Sequence, residues 1–100
     1  MADYRLTRSA EADFQDIAAY TISKFGILQA RRYRDGLERA LAALAKHPLR
    51  GRAASDLAPG LRRWRYRSHV ILFIPEAGGV LIVRVLHQRM DIPRHATSEN

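Results

Sequence analysis

The residues with most to offer chemically sit near the end of the chain. His87, Arg89 and Asp91 follow at intervals of two, Arg84 stands three residues ahead of them, and His69 opens an earlier apolar run. Cutting RNA without a metal takes a base for the 2′-hydroxyl, cations for the charge that builds on phosphorus and an acid for the leaving oxygen. His87, Arg84 and Arg89 are residues of those types, and His95 adds another imidazole. Each also has a plainer reading. A histidine ending a strand commonly fixes that end by bonding a carboxylate or a backbone group, and Asp91 is placed to pair with Arg89 or Arg94. A metal site from His69, His87 and Asp91 matches no familiar ligand spacing.

The second concentration of chemistry is positive charge. The net charge is +7, and of the 17 basic residues only Lys24 and Lys46 are lysines. Arginine stays charged when half buried and grips carboxylate or phosphate through a planar fork. Arg50, Arg52, Arg62, Arg63, Arg65 and Arg67 crowd one stretch against a single acid, Asp56. This is either a solvated face or a docking surface for an acidic partner, nucleic acid or protein, and a nucleic-acid-binding module using the Arg50–Arg67 patch is one functional reading of the chain. Alternation along a strand places Arg62, Trp64 and Tyr66 on one side and Arg63, Arg65 and Arg67 on the other.

These side chains need a scaffold, and the periodicities describe one. Tyr4 to Thr7 reads as a short strand leading to a helix cap at Ser9. Phe14, Ile17, Ala18, Thr21 and Phe25 form one helical stripe, with Glu11, Asp13 and Asp16 favoured near its start by the helix dipole. Gly26 stops that helix. Ala30, Tyr33, Leu37, Leu41 and Leu44 mark a second helix, in which Gly36 invites a close approach and His47-Pro48 forces the end. So short a link makes the two helices an antiparallel hairpin. Residues 48–60 read as a loop. Runs at Leu61–Tyr66, His69–Pro75 and Val80–His87 follow as strands, joined at Arg67-Ser68 and at residues 76–79. The latter two runs are apolar on both faces and belong at the sheet's centre; the charged LRRWRY run belongs near an edge. The tail from Met90 forms at most a short helical turn, with residues 96–100 frayed. Segregated helices and strands predict an α+β fold: an N-terminal strand, a two-helix hairpin and a three-stranded antiparallel meander, in a mostly antiparallel sheet of about four strands.

One hundred residues predict one domain, spanning 1–100. The lack of cysteine excludes disulfide and thiolate chemistry and suits a cytoplasmic protein. The early acids exclude a secretory signal, and the longest apolar run, Val70 to Pro75, is too short to span a bilayer.

Three segments carry a resemblance. QARRY with its repeated leucines and HPLRGR, then GLRRWRYRSHVILF, then IVRVLHQRMD are similar, in this order, to the RelE/ParE superfamily of toxins, and most to its ParE branch. The likeness spans residues 4 to 95. It implies a helical hairpin on a small antiparallel sheet and no cofactor. It implies a ParD-like antitoxin whose C-terminal segment wraps the toxin, with DNA met only indirectly through that antitoxin. For a ParE-like toxin it implies that the freed protein inhibits DNA gyrase by protein binding; for a RelE-like one, ribosome-dependent cleavage of mRNA. RelE-like enzymes use Lys, Arg and a late Tyr or His. This chain has no tyrosine after Tyr66 and no lysine pair before the sheet, so that set is incomplete, with His87, Arg89 and Arg84 left as its candidates. Tyr20, Ile22, Ile27 and Leu28 fall outside the main apolar stripe or near the hairpin tip, as a covered groove would require. The expected antitoxin contacts are Tyr20, Ile27, Leu28, Tyr33, Leu37, Trp64, Arg63 and Arg65. The expected target contacts are Arg84, His87, Arg89 and Asp91.

Overall fold

The computed structural model describes residues 3–96, with the side chain of Ala96 set aside. The first strand, β1 (Asp3–Leu6), leads directly into α1 (Arg8–Phe25) and α2 (Ile27–Lys46). The cap of α1 is Thr7, not the expected Ser9. Thr7 Oγ1 accepts from the Ala10 amide at 3.0 Å and donates to the Val83 carbonyl at 2.7 Å, while the Thr7 amide donates to the Ile82 carbonyl. Anchoring to a neighbouring strand therefore starts the helix two residues early. Gly26 alone links the helices. At φ +88° it occupies a region that L side chains avoid. Its amide closes α1 on the Ile22 carbonyl and its own carbonyl opens α2 through the Ala30 amide.

A 3-10 turn (Pro48–Arg50) follows His47, and then come β2 (Arg52–Ala53), β3 (Arg62–Tyr66), β4 (His69–Glu76), β5 (Gly79–His87) and α3 (Ile92–Ala96). The sheet runs β1-β5-β4-β3-β2. It has five strands rather than four, because Arg52 and Ala53, inside the segment expected to be loop, pair with Arg63 and Arg62. β1 lies parallel to β5, and the remaining pairings are antiparallel. The expected frayed tail beyond Ala96 lies outside the described residues.

Each face of the sheet carries a core. On the helix side Leu37, Leu41 and Leu44 of α2 meet Ile71, Phe73, Val80, Ile82 and Val85. On the other side Val70, Leu72 and Leu86 pack with Ala54 and Leu61 of the loop and with Ile92 of α3. Full burial of each large apolar side chain stabilises the fold by about 1.5–3 kcal/mol. Gly36 has the expected use: a Cβ there would overlap the Tyr66 hydroxyl, so its absence lets β3 close on α2. Phe25, assigned to the helix stripe, is instead 65% exposed. It ends α1 at the hairpin turn and lines a groove rather than the core.

Candidate functional site

The order of the last strand is broken once. Leu72 pairs with Arg84 and Phe73 with Ile82, leaving Val83 as the extra residue of a bulge. Bulges re-aim the side chains beside them. Arg84 points its guanidinium into Asp13 of α1, Nε to Oδ2 at 2.8 Å and Nη2 to Oδ1 at 2.9 Å, with Nη1 donating to the His95 carbonyl of α3. Asp13 Oδ2 also accepts from the Val85 amide at 2.8 Å. The two side chains are only 14% and 9% exposed. Hydrogen bonding to Asp13 raises the Arg84 pKa above its ordinary value. Arg84 is thus a tie between α1, β5 and α3. This corrects its assignment as a catalytic or target-binding residue, because both edges of its fork are already committed.

In sequence Asp13 is only an acid favoured by the helix dipole, but its position holds a further signal. Ala10, Asp13, Ile17 and Thr21 follow at steps of three and four, so Asp13 falls within the stripe that faces the sheet. A carboxylate there needs a buried cation.

Past the bulge, β5 brings His87 opposite His69 at the start of β4. Their rings meet edge to face with centroids 5.4 Å apart. Tyr33 of α2 shares a hydrogen bond of 2.6 Å between its hydroxyl and His69 Nδ1 and sets its ring edge to face against both His69 and Tyr66. Burial, then the neighbouring His87, push the His69 pKa down to about 4, so the imidazole is neutral at pH 7. Burial also raises the Tyr33 pKa, which keeps its hydroxyl protonated. His87 Nδ1 accepts from the Arg89 amide at 3.1 Å, the strand-ending bond that the plainer reading expected. Both imidazoles are held at Nδ1, and they flank two open grooves of about 590 and 380 Å³. Tyr20 lines both, Phe25 and Tyr33 the first, Arg89 and Met90 the second.

The expected antitoxin contacts do not form one surface. Tyr20, Ile27 and Leu28 are about as exposed as Phe25, at the hairpin end, and Ile22 is exposed beside them. Leu37 is fully buried in the helix-side core and cannot touch a partner in the folded chain, which corrects its assignment. The α2 repeat could not show this, because core and groove residues share one helical period. Tyr33 is half-buried within the aromatic cluster. Trp64 is half-buried against the helix-side core, with Arg50 stacked 5.9 Å from its ring. Arg63 and Arg65 lie on the opposite face of the sheet, where they line a groove with Arg52. Of the expected target contacts, Arg89 and Asp91 are exposed just after β5 and His87 stands at its end. Among the described residues no three His, Asp or Glu side chains gather closely enough to hold a metal, so His69, His87 and Asp91 do not form such a site. Nor, among the described residues, is any helix long and apolar enough to cross a membrane.

Comparison with known proteins agrees with this architecture. Residues 4–92 match the family described as ParE toxin of type II toxin-antitoxin system, parDE. The chain is 41% identical over 93 residues to Toxin ParE of Escherichia coli, covering 92% of this chain and 90% of that protein. It is 39% identical over 95 residues to Toxin ParE1 of Caulobacter vibrioides, covering 95% and 98%. A solved structure described as the chromosomal ParDE TA system from P. aeruginosa shares the fold at a TM-score of 0.72 and 20% identity, covering 87% of this chain and 96% of that one. Element order, sheet topology and a family match over nearly the whole described length converge: the chain belongs to the ParE toxin family of ParDE type II toxin–antitoxin systems.

Proposed function

We propose that this protein acts in the cytoplasm as a toxin that inhibits DNA gyrase by binding it, without catalysis, and that a ParD-like antitoxin neutralises it. The observation that carries the reading is the hairpin end. Tyr20, Ile22, Phe25, Ile27 and Leu28 are 46–65% exposed around one turn. A chain with so thin a core gains by burying such residues internally, and leaving them out is a feature of surfaces that partners cover. The amphipathic segment of an antitoxin fits that end and the adjoining aromatic groove. Gyrase would then be met by His87, Arg89 and Asp91 at the end of β5.

The rival reading is the ribosome-dependent endonuclease. What favours it is the His69–His87 pair, two imidazoles each held at Nδ1. What weakens it is the loss of Arg84 from the candidate set. Supercoiling by purified gyrase, with and without the toxin, tests the first reading, and mRNA cleavage on purified ribosomes tests the second. Inhibited supercoiling with intact mRNA is the expected result. Cleavage that disappears in His87→Ala, with supercoiling untouched, would overturn it.

A further inference from the structure

The arginines of the 50–67 stretch divide by face, and only some are used by the fold. Arg62 donates to the Leu49 and Gly51 carbonyls, Arg50 stacks on Trp64, and Arg67 lies 5.7 Å from the centre of the Tyr66 ring. Arg52, Arg63 and Arg65 remain, on the face away from the helices. Arg52 and Arg63 are directly opposed across β2 and β3, and Arg65 follows two residues on with the same orientation. Among the described residues none of the three forms an ion pair; the one side-chain bond here runs from Arg65 Nε to the Arg67 carbonyl. Opposed like charges on neighbouring strands destabilise a sheet. Among the described residues, Asp56 is the one acid that lines their groove.

We infer that this outer face is a binding surface for the phosphate backbone of duplex DNA. The groove is open, about 690 Å³, and flanked by Arg52, Arg63 and Arg65. A protein partner, even an acidic one, needs a desolvated apolar anchor at its centre. This face shows none: Val70 beneath the arginines is 4% exposed, Trp64 at the groove's edge is half-buried against the helix-side core, and of the seven large apolar side chains exposed among the described residues five lie at the hairpin end, with Leu49 in the 3-10 turn and Met90 after β5. A surface this strongly basic, with three arginines to one acid, is the composition of a protein–DNA interface. Single strands call for aromatic platforms, whereas Trp64 and Tyr66 pack toward the helices. Backbone contact by arginine forks, without base reading, is what remains. This departs from the indirect contact with DNA, through an antitoxin, that the family resemblance implies. It is independent of the gyrase reading, because the purified chain alone tests it.

The test is binding of a fluorescent 20-base-pair duplex, followed by anisotropy between 50 and 200 mM salt. Each phosphate contact contributes about 0.9 to the slope of log K against log salt, so three arginines contribute about 2.7. Arg52→Gln/Arg63→Gln/Arg65→Gln should lose that slope: across this fourfold salt range the native chain should weaken about 40-fold more than the variant. Arg31→Gln/Arg32→Gln/Arg39→Gln, on the exposed surface of α2, removes equal charge and should keep the native slope. Arg65→Glu, a single exposed change, serves if the triple variant melts early, and should also flatten the slope. Equal losses in both triple variants would show diffuse attraction and overturn the proposal. So would displacement of the duplex by polyglutamate at lower charge concentration than by unlabelled DNA, which would mark a surface for an acidic protein.

Discussion

The Asp13–Arg84 tie makes the most exacting prediction. Asp13 accepts three hydrogen bonds, two from the Arg84 fork and one from the Val85 amide, and both side chains are almost withdrawn from solvent. Breaking such a pair from one side leaves an uncompensated buried charge, at a cost of about 3–5 kcal/mol. Three charge-assisted bonds at about 1.5–3 kcal/mol each bring the estimate to the same scale or above it. A domain of this size has about 5–15 kcal/mol in all, so either single change removes a large share. Asp13→Asn and Arg84→Gln should each lower the melting temperature by at least about 12 °C, from about 4 °C per kcal/mol. The double variant should recover about 2 kcal/mol of the summed loss, since the introduced asparagine can still accept from the Val85 amide and meet the introduced glutamine without a stranded charge. Urea titrations read through Trp64, the only tryptophan, measure all four proteins. Toxicity should follow stability through this cycle, returning with the double variant. Additivity within about 0.5 kcal/mol would refute the coupling. A stable Arg84→Gln that had lost toxicity would refute the purely structural role of Arg84.

Three further outcomes are expected. Gly36→Ala should destabilise despite alanine's better helix propensity of about 1 kcal/mol, because its Cβ overlaps the Tyr66 hydroxyl; adding Tyr66→Phe should restore part of the loss, read by thermal melting. His69 titrates at about 4 in the fold and near 6.5 when unfolded, so the unfolded chain takes the proton first. Stability is therefore full above pH 6.5 and drains toward pH 4, by about 1.5 kcal/mol once the partial exposure of His69 is discounted for solvent screening, and His69→Asn should remove that component from a pH series of urea midpoints. Phe25→Ser/Ile27→Ser/Leu28→Ser should change stability by less than about 1.5 kcal/mol, at about 0.5 for each exposed site, yet abolish rescue by co-expressed antitoxin, scored as colony survival.

What is legible in the sequence and what is not divide along a physical line. Features set by neighbours in sequence are legible: Gly26 between two helical periods, His47 before proline as the end of α2, and the alternation that sends Trp64 inward and Arg63 outward. Features that need two distant segments to meet are not. Asp13 and Arg84 are 71 residues apart, and only the bulge at Val83 turns one toward the other. The parallel pairing of β1 with β5 and the two-residue β2 leave almost no periodic trace. The same line runs through the candidate site. Leu37 and Tyr33 share one helical stripe and differ only in what the sheet sets against them, a full core in one case and two histidines and a groove in the other. Composition shows that the chain carries more arginine and more apolar bulk at the hairpin than its own core can employ. Only the fold shows that the two surpluses lie apart, the apolar one at the hairpin end and Arg52, Arg63 and Arg65, without ion pairs among the described residues, on the far side of the sheet. Surfaces of such different chemistry are suited to different occupants, so a protein held at the hairpin need not displace a phosphate backbone held on the outer face. Saturating the hairpin with the antitoxin's toxin-wrapping C-terminal segment alone, without the part through which DNA is met, should therefore leave the salt slope of DNA binding unchanged, and competition between the two would place both on one surface.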